Sequence, residues 1–394
     1  MENKQLRLKK GKEVSLFRNH PWVFSGALQF IPDSIQDGDL VDVMSSDHTY
    51  IATGYYQGGG SIAVRIISFN KKDIDQLFWN EKIENAYVYR QYLHLISPDT
   101  NTYRLFHGEG DGIPGLIVDV YNDIAVIQAH SIGVHIAAAQ ISDAIVAIYE
   151  QKIESIYLRC KDTLPDQYSM TAEDILLLGN KVETVIKENG VSFRINVITG
   201  QKTGFFLDQR ENRLLLSDYS KGKTVLNCFC YTGGFSIYAL MAGAIKVDSV
   251  DISQKAMDLL EENLLLNHFE GIHQSFCANV MHFLNDESIP EYDIVIVDPP
   301  AFAKSIHKRH NAVQAYKRLN VLAFKKVKSG GLLFTFSCSQ VVGTQLFYDT
   351  IVAAGIEAGK KVRVVKSLSQ GPDHPINLFH PEGHYLKGLL LYVE

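Results

Sequence analysis

Along the chain the spacing of apolar positions changes twice, and each change announces a different architecture. Over residues 1–74 apolar residues come in short runs broken by turn formers. "DGDLVDVMSS" alternates apolar and polar, and "YIATGYYQGGGSIAVRIISF" sets a glycine-rich turn between two strand-like runs. This pattern predicts a small β-barrel module. Residues 75–187 open on a helical stretch, "DIDQLFWNEKIENAYVYRQYL", pass through "YRLFHGEGDGIPGLIVDVYNDIAVIQAH" as two strands around a turn, and continue with a helix near 133–150. A central α+β domain is the natural outcome of that mixture. From residue 188 to 394 the apolar runs "TVLNCFC", "IKVDSVD", "YDIVIVD" and "GGLLFTFS" alternate with amphipathic helical segments. That alternation predicts an α/β domain with a doubly wound, mostly parallel sheet.

Composition narrows the class without overturning this division. The 394 residues are 46% hydrophobic and 21% charged, enough to bury a sizeable core. "MENKQLRLKKGKEV" has neither an apolar signal core nor an amphipathic transit pattern, and no apolar run approaches the roughly 18 to 20 residues that cross a bilayer. Cys160, Cys228, Cys230, Cys277 and Cys338 are too scattered for a disulfide framework, and none has the CxxC spacing of a zinc ribbon. A reducing, cytoplasmic location is expected, with no metal. The net charge of −6 argues weakly against a nucleic-acid partner, but charge is unevenly spread. Lys4, Arg7, Lys9, Lys10, Lys12 and Arg18 face only Glu2 and Glu13 in residues 1–20, a net +4 that leaves −10 for the remainder. Between Lys304 and Lys328 lie eight Lys or Arg and no Asp or Glu. Such local basic surface is what phosphate binding requires, although plain solvated faces carry similar runs.

In open parallel sheets ligands bind beyond the carboxyl ends of the strands, so the residues just past each apolar run carry the chemistry. After the first strand "NCFCYTGGFSIYAL" provides Gly233 and Gly234 for a close backbone turn before a helix. The G-x-G-x-x-G spacing of a dinucleotide site is absent, which disfavours a nicotinamide cofactor. The second strand ends at Asp251, about 18 residues beyond those glycines, where a carboxylate can accept two ribose hydroxyls. Helix capping by Asp251 in "DIS" is the alternative. The third strand ends at Asn279, which can meet an adenine edge or simply turn the chain. The fourth delivers "VDPPAFAKS": Asp298 precedes Pro299 and Pro300, whose fixed φ values leave a rigid array of carbonyls suited to a planar base with an exocyclic amine.

These motifs bring a family into view. "DPPAF", the "GGFS" turn and Asp251 resemble class I S-adenosylmethionine-dependent RNA methyltransferases, and "GQKTGFFLDQRENR" is similar to the cofactor-lid segment of that group. More narrowly, "RNHPWVFSGAL", "GEGDGIPGLIVDVY", "FSCSQ", "DHP" and "YLKG" resemble the bacterial RlmI family of 23S rRNA 5-methylcytosine methyltransferases over nearly the whole chain. The resemblance implies a PUA-like RNA-binding domain at 1–74, a central α+β domain at 75–187 and a Rossmann-like catalytic domain at 188–394. It further implies S-adenosyl-L-methionine as cofactor, held by Thr203, Phe205, Asp208, Arg210, Phe229, Tyr231, Gly233, Asp251, Asn279, Val280 and Asp298. The partner implied is RNA, 23S rRNA in particular, with no membrane; a homodimer is left open.

Carbon 5 of cytosine is a poor nucleophile until a thiolate adds at C6 and makes it enamine-like. The family assigns that role to Cys338, with Asp298 and Pro299 holding the base. Ser337 and Ser339 can hydrogen-bond the developing thiolate, and a nearby Lys or Arg would favour it. Many RNA cytosine methyltransferases carry Pro-Cys where this chain has Pro299-Pro300, so the thiol that assists release is absent here. Cys228 and Cys230 alternate along a strand and read as core. His374 could be a ligand or a base, but without a clustered second histidine motif Asp373 and His374 read rather as loop-fixing. The helix after Asp298 presents Val313, Tyr316, Leu319 and Ala323 as its core stripe and leaves Lys317, Arg318, Lys325 and Lys326 to other faces. Two rivals stand beside cytosine chemistry: methylation of an exocyclic base nitrogen such as guanine N2, which needs no thiol, and a non-catalytic RNA-binding assembly factor.

Overall fold

The computed structural model describes residues 3–150, 152–303 and 305–394. Glu2 and Lys304, counted above in the two basic runs, lie outside the described residues. The chain divides into two units: Met1–Lys187 with Ile195–Leu207 and Pro372–Gly383, and Glu188–Arg194 with Asp208–Gly371 and His384–Glu394.

In the first unit, the described residues form two five-stranded sheets. One orders Lys4–Arg7, Leu40–Met44, Tyr50–Tyr56, Ile62–Ser68 and Trp22–Phe24. Its alternation sends Leu6, Val41, Val43, Val64 and Ile66 into one core while the Lys4 and Arg7 side chains stay exposed. The other orders Ile175–Leu178, Ser155–Arg159, Ile124–Ala129, Leu116–Tyr121 and Thr102–His107. Helices Gln76–Tyr92 and Ala138–Tyr149 supply Trp79, Ile83, Ile141 and Ile145 to its core. The single helix expected near 133–150 is two, Ile132–Ile136 and Ala138–Tyr149, because Ala137 at ψ 0 interrupts the α-helical path. Charges are buried here in pairs: Arg90 grips Asp111 at 2.6 and 2.8 Å, and Arg104 grips Asp119 at 2.8 and 2.9 Å. Asp373, fully buried, accepts the Arg104 N–H at 3.0 Å and contacts His374 Nδ1 at 2.9 Å, while its carbonyl accepts from Arg90 at 2.7 Å. The loop-fixing role of Asp373 and His374 follows from those bonds.

The second unit is built on a seven-stranded sheet in the order Ile272–Cys277, Lys246–Asp251, Thr224–Cys228, Tyr292–Val297, Val327–Ser337, Lys387–Val393, Val362–Ser369. Lys387–Val393 alone runs antiparallel to its neighbours. Thr224–Cys228 and Tyr292–Val297 are nearly continuous apolar runs because helices cover both faces of a parallel sheet. Helix Arg309–Lys325 buries Ala312, Tyr316, Leu319, Ala323 and Phe324, close to the stripe expected. Lys326 corrects that expectation: it lies past the helix end, 7% exposed, with its ammonium bonded to the carbonyls of Asp286 and Ile289 at 2.7 Å each. It closes a loop and offers nothing to a surface.

Candidate active site

Thr224–Cys228 is flanked on one side by Lys246–Asp251 and on the other by Tyr292–Val297, so the strand order reverses at its end. Connections leaving in opposite directions open a crevice there. The loop that fills it is conformationally costly: Phe229 (φ 59), Tyr231 (φ 47) and Gly233 (φ 82) are all left-handed. Each residue with a side chain gives up about 1–2 kcal/mol in that region. The surroundings hold it in place. Tyr231 N–H donates to Asp251 Oδ2 at 3.0 Å, Gly233 N–H to the Cys230 carbonyl at 2.9 Å, and the Asn263 amide to the Thr232 carbonyl at 3.1 Å. A Cβ on Gly233 would stand 2.0 Å from Leu260 Cδ1, so the helix behind can pack this closely only against glycine.

Asp251 fastens the loop rather than a helix. Its Oδ1 accepts Ser253 N–H at 3.0 Å, while Ser253 itself caps helix Gln254–Leu265 by accepting from Ala256 N–H. The capping alternative for Asp251 is thereby removed. Each carboxylate oxygen keeps a second lone pair, the acceptor set that two neighbouring ribose hydroxyls need. Asn279 is different: its Oδ1 accepts from Met281 and His282 N–H at 2.9 and 3.2 Å, capping the helix that Val280 opens.

The lid-like segment is divided between the units. Thr203 and Phe205 belong to the first, where Thr203 donates to Asp119 Oδ2 at 2.6 Å and Phe205 N–H donates to the Tyr121 hydroxyl at 3.2 Å. Asp208 and Arg210 belong to the second. Asp208 accepts the Tyr385 hydroxyl at 2.7 Å, and Arg210 opens helix Arg210–Ser220 with its Nε 3.1 Å from Glu211. Between them Gln209, which the sequence did not single out, donates to Asp298 Oδ2 at 3.0 Å and accepts from the Asn212 amide at 2.6 Å. A hydrogen-bond chain therefore runs from this helix to the Asp298 loop.

Cys338 directly follows Val327–Ser337, the strand beside Tyr292–Val297 that ends in Asp298. It is half-buried, Pro299 is buried and Pro300 is exposed. The Tyr316 hydroxyl, fully buried, lies among Ser337, the Phe302 backbone, Cys338 and Asp298, and burial pushes its pKa up to about 12. Ser339 does not serve the sulfur as expected: its hydroxyl donates to the Ala303 carbonyl at 2.8 Å and so ties the cysteine loop to the Asp298 loop. Ser337 Oγ accepts the Ser339 N–H at 3.4 Å. The basic group beside the cysteine is Lys387, 3% exposed, whose ammonium donates to the Ser339 carbonyl at 2.7 Å. Burial drives its pKa down to about 8, with the charge of Cys338 opposing that fall. Cys228 and Cys230 are buried and their thiols are pushed well up by desolvation, which keeps them unreactive core groups.

The basic runs are thinner than their sequence suggests. Lys4 pairs with Asp39 at 2.6 Å, Lys317 with Glu357 at 2.6 Å and Lys328 with Asp293 at 3.1 Å. Lys10, Lys12 and Arg18 in the first unit, and Lys308, Arg309, Arg318 and Lys325 in the second, are exposed. His20, His380 and Glu382 of the first unit lie within 4.8 Å of one another, a grouping invisible in sequence. His20 Nδ1 accepts the Trp22 N–H at 3.2 Å, which leaves its proton on Nε2 and no lone pair there for an ion.

The strand order reverses beside a left-handed glycine turn and a strand-end carboxylate, with no pyrophosphate loop. This arrangement is that of a class I S-adenosylmethionine-dependent methyltransferase domain, and the family of that description matches residues 162–385. A PUA-like domain family matches residues 6–69. Ribosomal RNA large subunit methyltransferase I of Aeromonas salmonicida is 37% identical over 390 residues, covering 98% of each chain, and that of Vibrio vulnificus is 37% identical over 389, covering 97% of each. The protein thus belongs to the ribosomal RNA large subunit methyltransferase I family. A candidate SAM-dependent methyltransferase from Streptococcus mutans shares the fold at TM-score 0.84 and 24% identity, covering 99% of this chain and all of its own. A candidate methyltransferase complexed with SAH does so at TM-score 0.85, again at 24% identity. The enzyme is an S-adenosylmethionine-dependent methyltransferase. No helix among the described residues is long and apolar enough to cross a membrane.

Proposed function

We propose that the protein methylates carbon 5 of a cytosine in large-subunit ribosomal RNA, with Cys338 as the nucleophile. The relatives' activity on ribosomal RNA supports the substrate class, and the PUA-like match supports an RNA partner. The observation that carries the chemistry is a half-buried cysteine at the strand end next to Asp298, with a buried lysine beside it. Methylation of an exocyclic nitrogen would require neither.

S-adenosylmethionine supplies an electrophilic methyl group when bound. Asp251 would hold its ribose and the Gly233 turn would admit its tail, with Phe229, Tyr231, Asn279, Val280, Asp208 and Arg210 completing the second unit's share. Thr203 and Phe205, named by the same resemblance, belong to the first unit, where they bond Asp119 and Tyr121. The target base must leave its stack to reach such a crevice, and Asp298 with the Pro299 carbonyl suits its amine edge. The Cys338 thiolate then adds to C6, the C5=C6 π bond breaks, and C5 gains the electron density that attack on a methyl group needs. Once C5 is methylated, water takes its proton, the C–H electron pair re-forms the C5=C6 bond and the sulfur departs as thiolate.

Incubation with S-adenosylmethionine and ribosomal RNA containing 5-fluorocytidine tests this directly. Fluorine replaces the departing proton, so wild type should accumulate a protein–RNA adduct and Cys338→Ala none. Equal trapping by Cys338→Ala, or normal methylation by it, would rule the mechanism out. A cytoplasmic location accords with the substrate, and fractionation of the native host checks it.

A further inference from the structure

The release of Cys338 lacks the second thiol found in many RNA cytosine methyltransferases, since Pro300 occupies that position. What the second unit supplies instead is a lysine on the antiparallel strand. Lys387 opens Lys387–Val393 and pairs in register with Ser337, the residue before Cys338. Its ammonium carries three donors; among the described residues it donates to the Ser339 carbonyl on the far side of Cys338, and the charge that acts on it is that of Cys338. A buried cation without a paired anion is costly, so such groups are kept where a counter-charge forms. The neighbour able to form one is Cys338.

We propose that Lys387 is the counter-ion of Cys338, a positioning residue whose ammonium stabilises the thiolate as the thiol loses its proton to solvent and stabilises the sulfur again as it leaves C6. The S–H bond breaks, its proton passes to water, and the electron pair stays on sulfur beside an ammonium that keeps its own three protons. On release the C6–S electron pair returns to sulfur beside the same ammonium, so the leaving group needs no proton. Burial lowers the basicity of Lys387 and the charge of Cys338 opposes that fall, so a thiolate beside it favours the ammonium. The other titratable groups around the pair are His384, which senses the Lys387 charge, and Tyr316 and Asp298 on the cysteine side.

The proposal rests on the cysteine-nucleophile reading, and its test is separable from it. Peptide-resolved alkylation of Cys338 by iodoacetamide, followed from pH 5.5 to 9.5 in the full-length protein without cofactor or RNA, reads the thiolate itself. Lys387→Met should move the midpoint up by about one unit or more, the usual effect of losing an adjacent opposite charge. At neutral pH the rate should fall only about threefold, since a more basic thiolate is also more nucleophilic. Lys387→Arg keeps the charge and should keep most of the downward displacement. A midpoint unmoved by Lys387→Met overturns the pairing, and so does a loss in Lys387→Arg equal to that in Lys387→Met. If the midpoint moves but 5-fluorocytidine RNA traps nothing, the pair stands and the nucleophile assignment falls.

Discussion

Gly233→Ala isolates the physical reason for the glycine turn proposed to admit the cofactor. Gly233 sits at φ 82, where an L-residue loses about 1–2 kcal/mol. The added methyl would stand 2.0 Å from Leu260 Cδ1, well inside the roughly 3.5–4.0 Å of a carbon contact. Leu260 is fully buried on helix Gln254–Leu265, so it cannot swing into solvent, and overpacking of this kind costs about 1–3 kcal/mol. Reduced freedom of the unfolded chain offsets about 0.4–1 kcal/mol. The net loss is about 3 kcal/mol, equivalent to roughly a 150-fold easier local opening. Trp22 and Trp79 both lie in the first unit, so tryptophan fluorescence is blind to this loop. Hydrogen exchange over residues 224–241, with a calorimetric titration of S-adenosylmethionine, reads it directly. Both protection and affinity should fall. In the Gly233→Ala/Leu260→Ala double variant the overlap vanishes, so the two changes should be less costly together than their sum by about 1–3 kcal/mol. Unchanged exchange and affinity in Gly233→Ala, or strict additivity with Leu260→Ala, would refute the close-packing account.

Three further expectations concern charges. Asp251→Asn replaces one acceptor oxygen by an amide donor facing a backbone N–H, Tyr231 or Ser253, and cofactor affinity should drop about 10- to 150-fold by calorimetry, the range for losing a charge-assisted hydrogen bond. Arg213 and Glu188 form a buried pair with two 2.8 Å bonds, so Arg213→Met should cost about 3–5 kcal/mol in urea unfolding of the second unit. Arg213→Met/Glu188→Leu should recover much of that loss; a double variant as unstable as the single one would contradict the stranded-charge explanation. In the first unit burial, then the charges of His374, Arg104 and Arg90, hold His107 well below the usual histidine range. The unfolded chain therefore binds the proton first, and stability should fall as pH drops below about 6.5. Fluorescence of Trp22 and Trp79 should show that slope flattened in His107→Asn.

The strands that build the cofactor crevice were legible because a parallel sheet covered on both faces demands continuous apolar runs, as in Thr224–Cys228 and Tyr292–Val297. The Asp251 position was legible as a strand end, and the structure shows its carboxylate accepting the Tyr231 and Ser253 N–H groups. What escaped was set by order in space rather than order along the chain. Lys387–Val393 inserts between Val327–Ser337 and Val362–Ser369, so the lysine of "YLKG", which the sequence offered only as part of a family motif, is delivered against Cys338. Lys325 and Lys326 are adjacent letters, yet one is exposed and the other closes a loop onto two carbonyls. Gln209 was overlooked for a similar reason: its value lies in a bond to Asp298, 89 positions away.

The serines on either side of Cys338 can now be separated by function. Were Ser339 a donor to the thiolate, Ser339→Ala would make the thiol harder to ionise. The bonds point elsewhere: the hydroxyl fastens the Ala303 carbonyl, and the Ser339 carbonyl, which alanine retains, anchors Lys387. Ser339→Ala should therefore leave the pH midpoint of Cys338 alkylation and the cofactor affinity as they are, and lose about 1 kcal/mol of stability from the missing hydrogen bond. Its turnover should fall about 10- to 100-fold, because a loop released from Asp298–Ala303 no longer holds sulfur and base in attack geometry. Single-turnover methylation beside the alkylation profile distinguishes the two roles. A shifted midpoint with normal turnover would return Ser339 to the thiolate, whereas slow turnover at an unchanged midpoint makes it the clasp between the two loops that the proposed mechanism brings together.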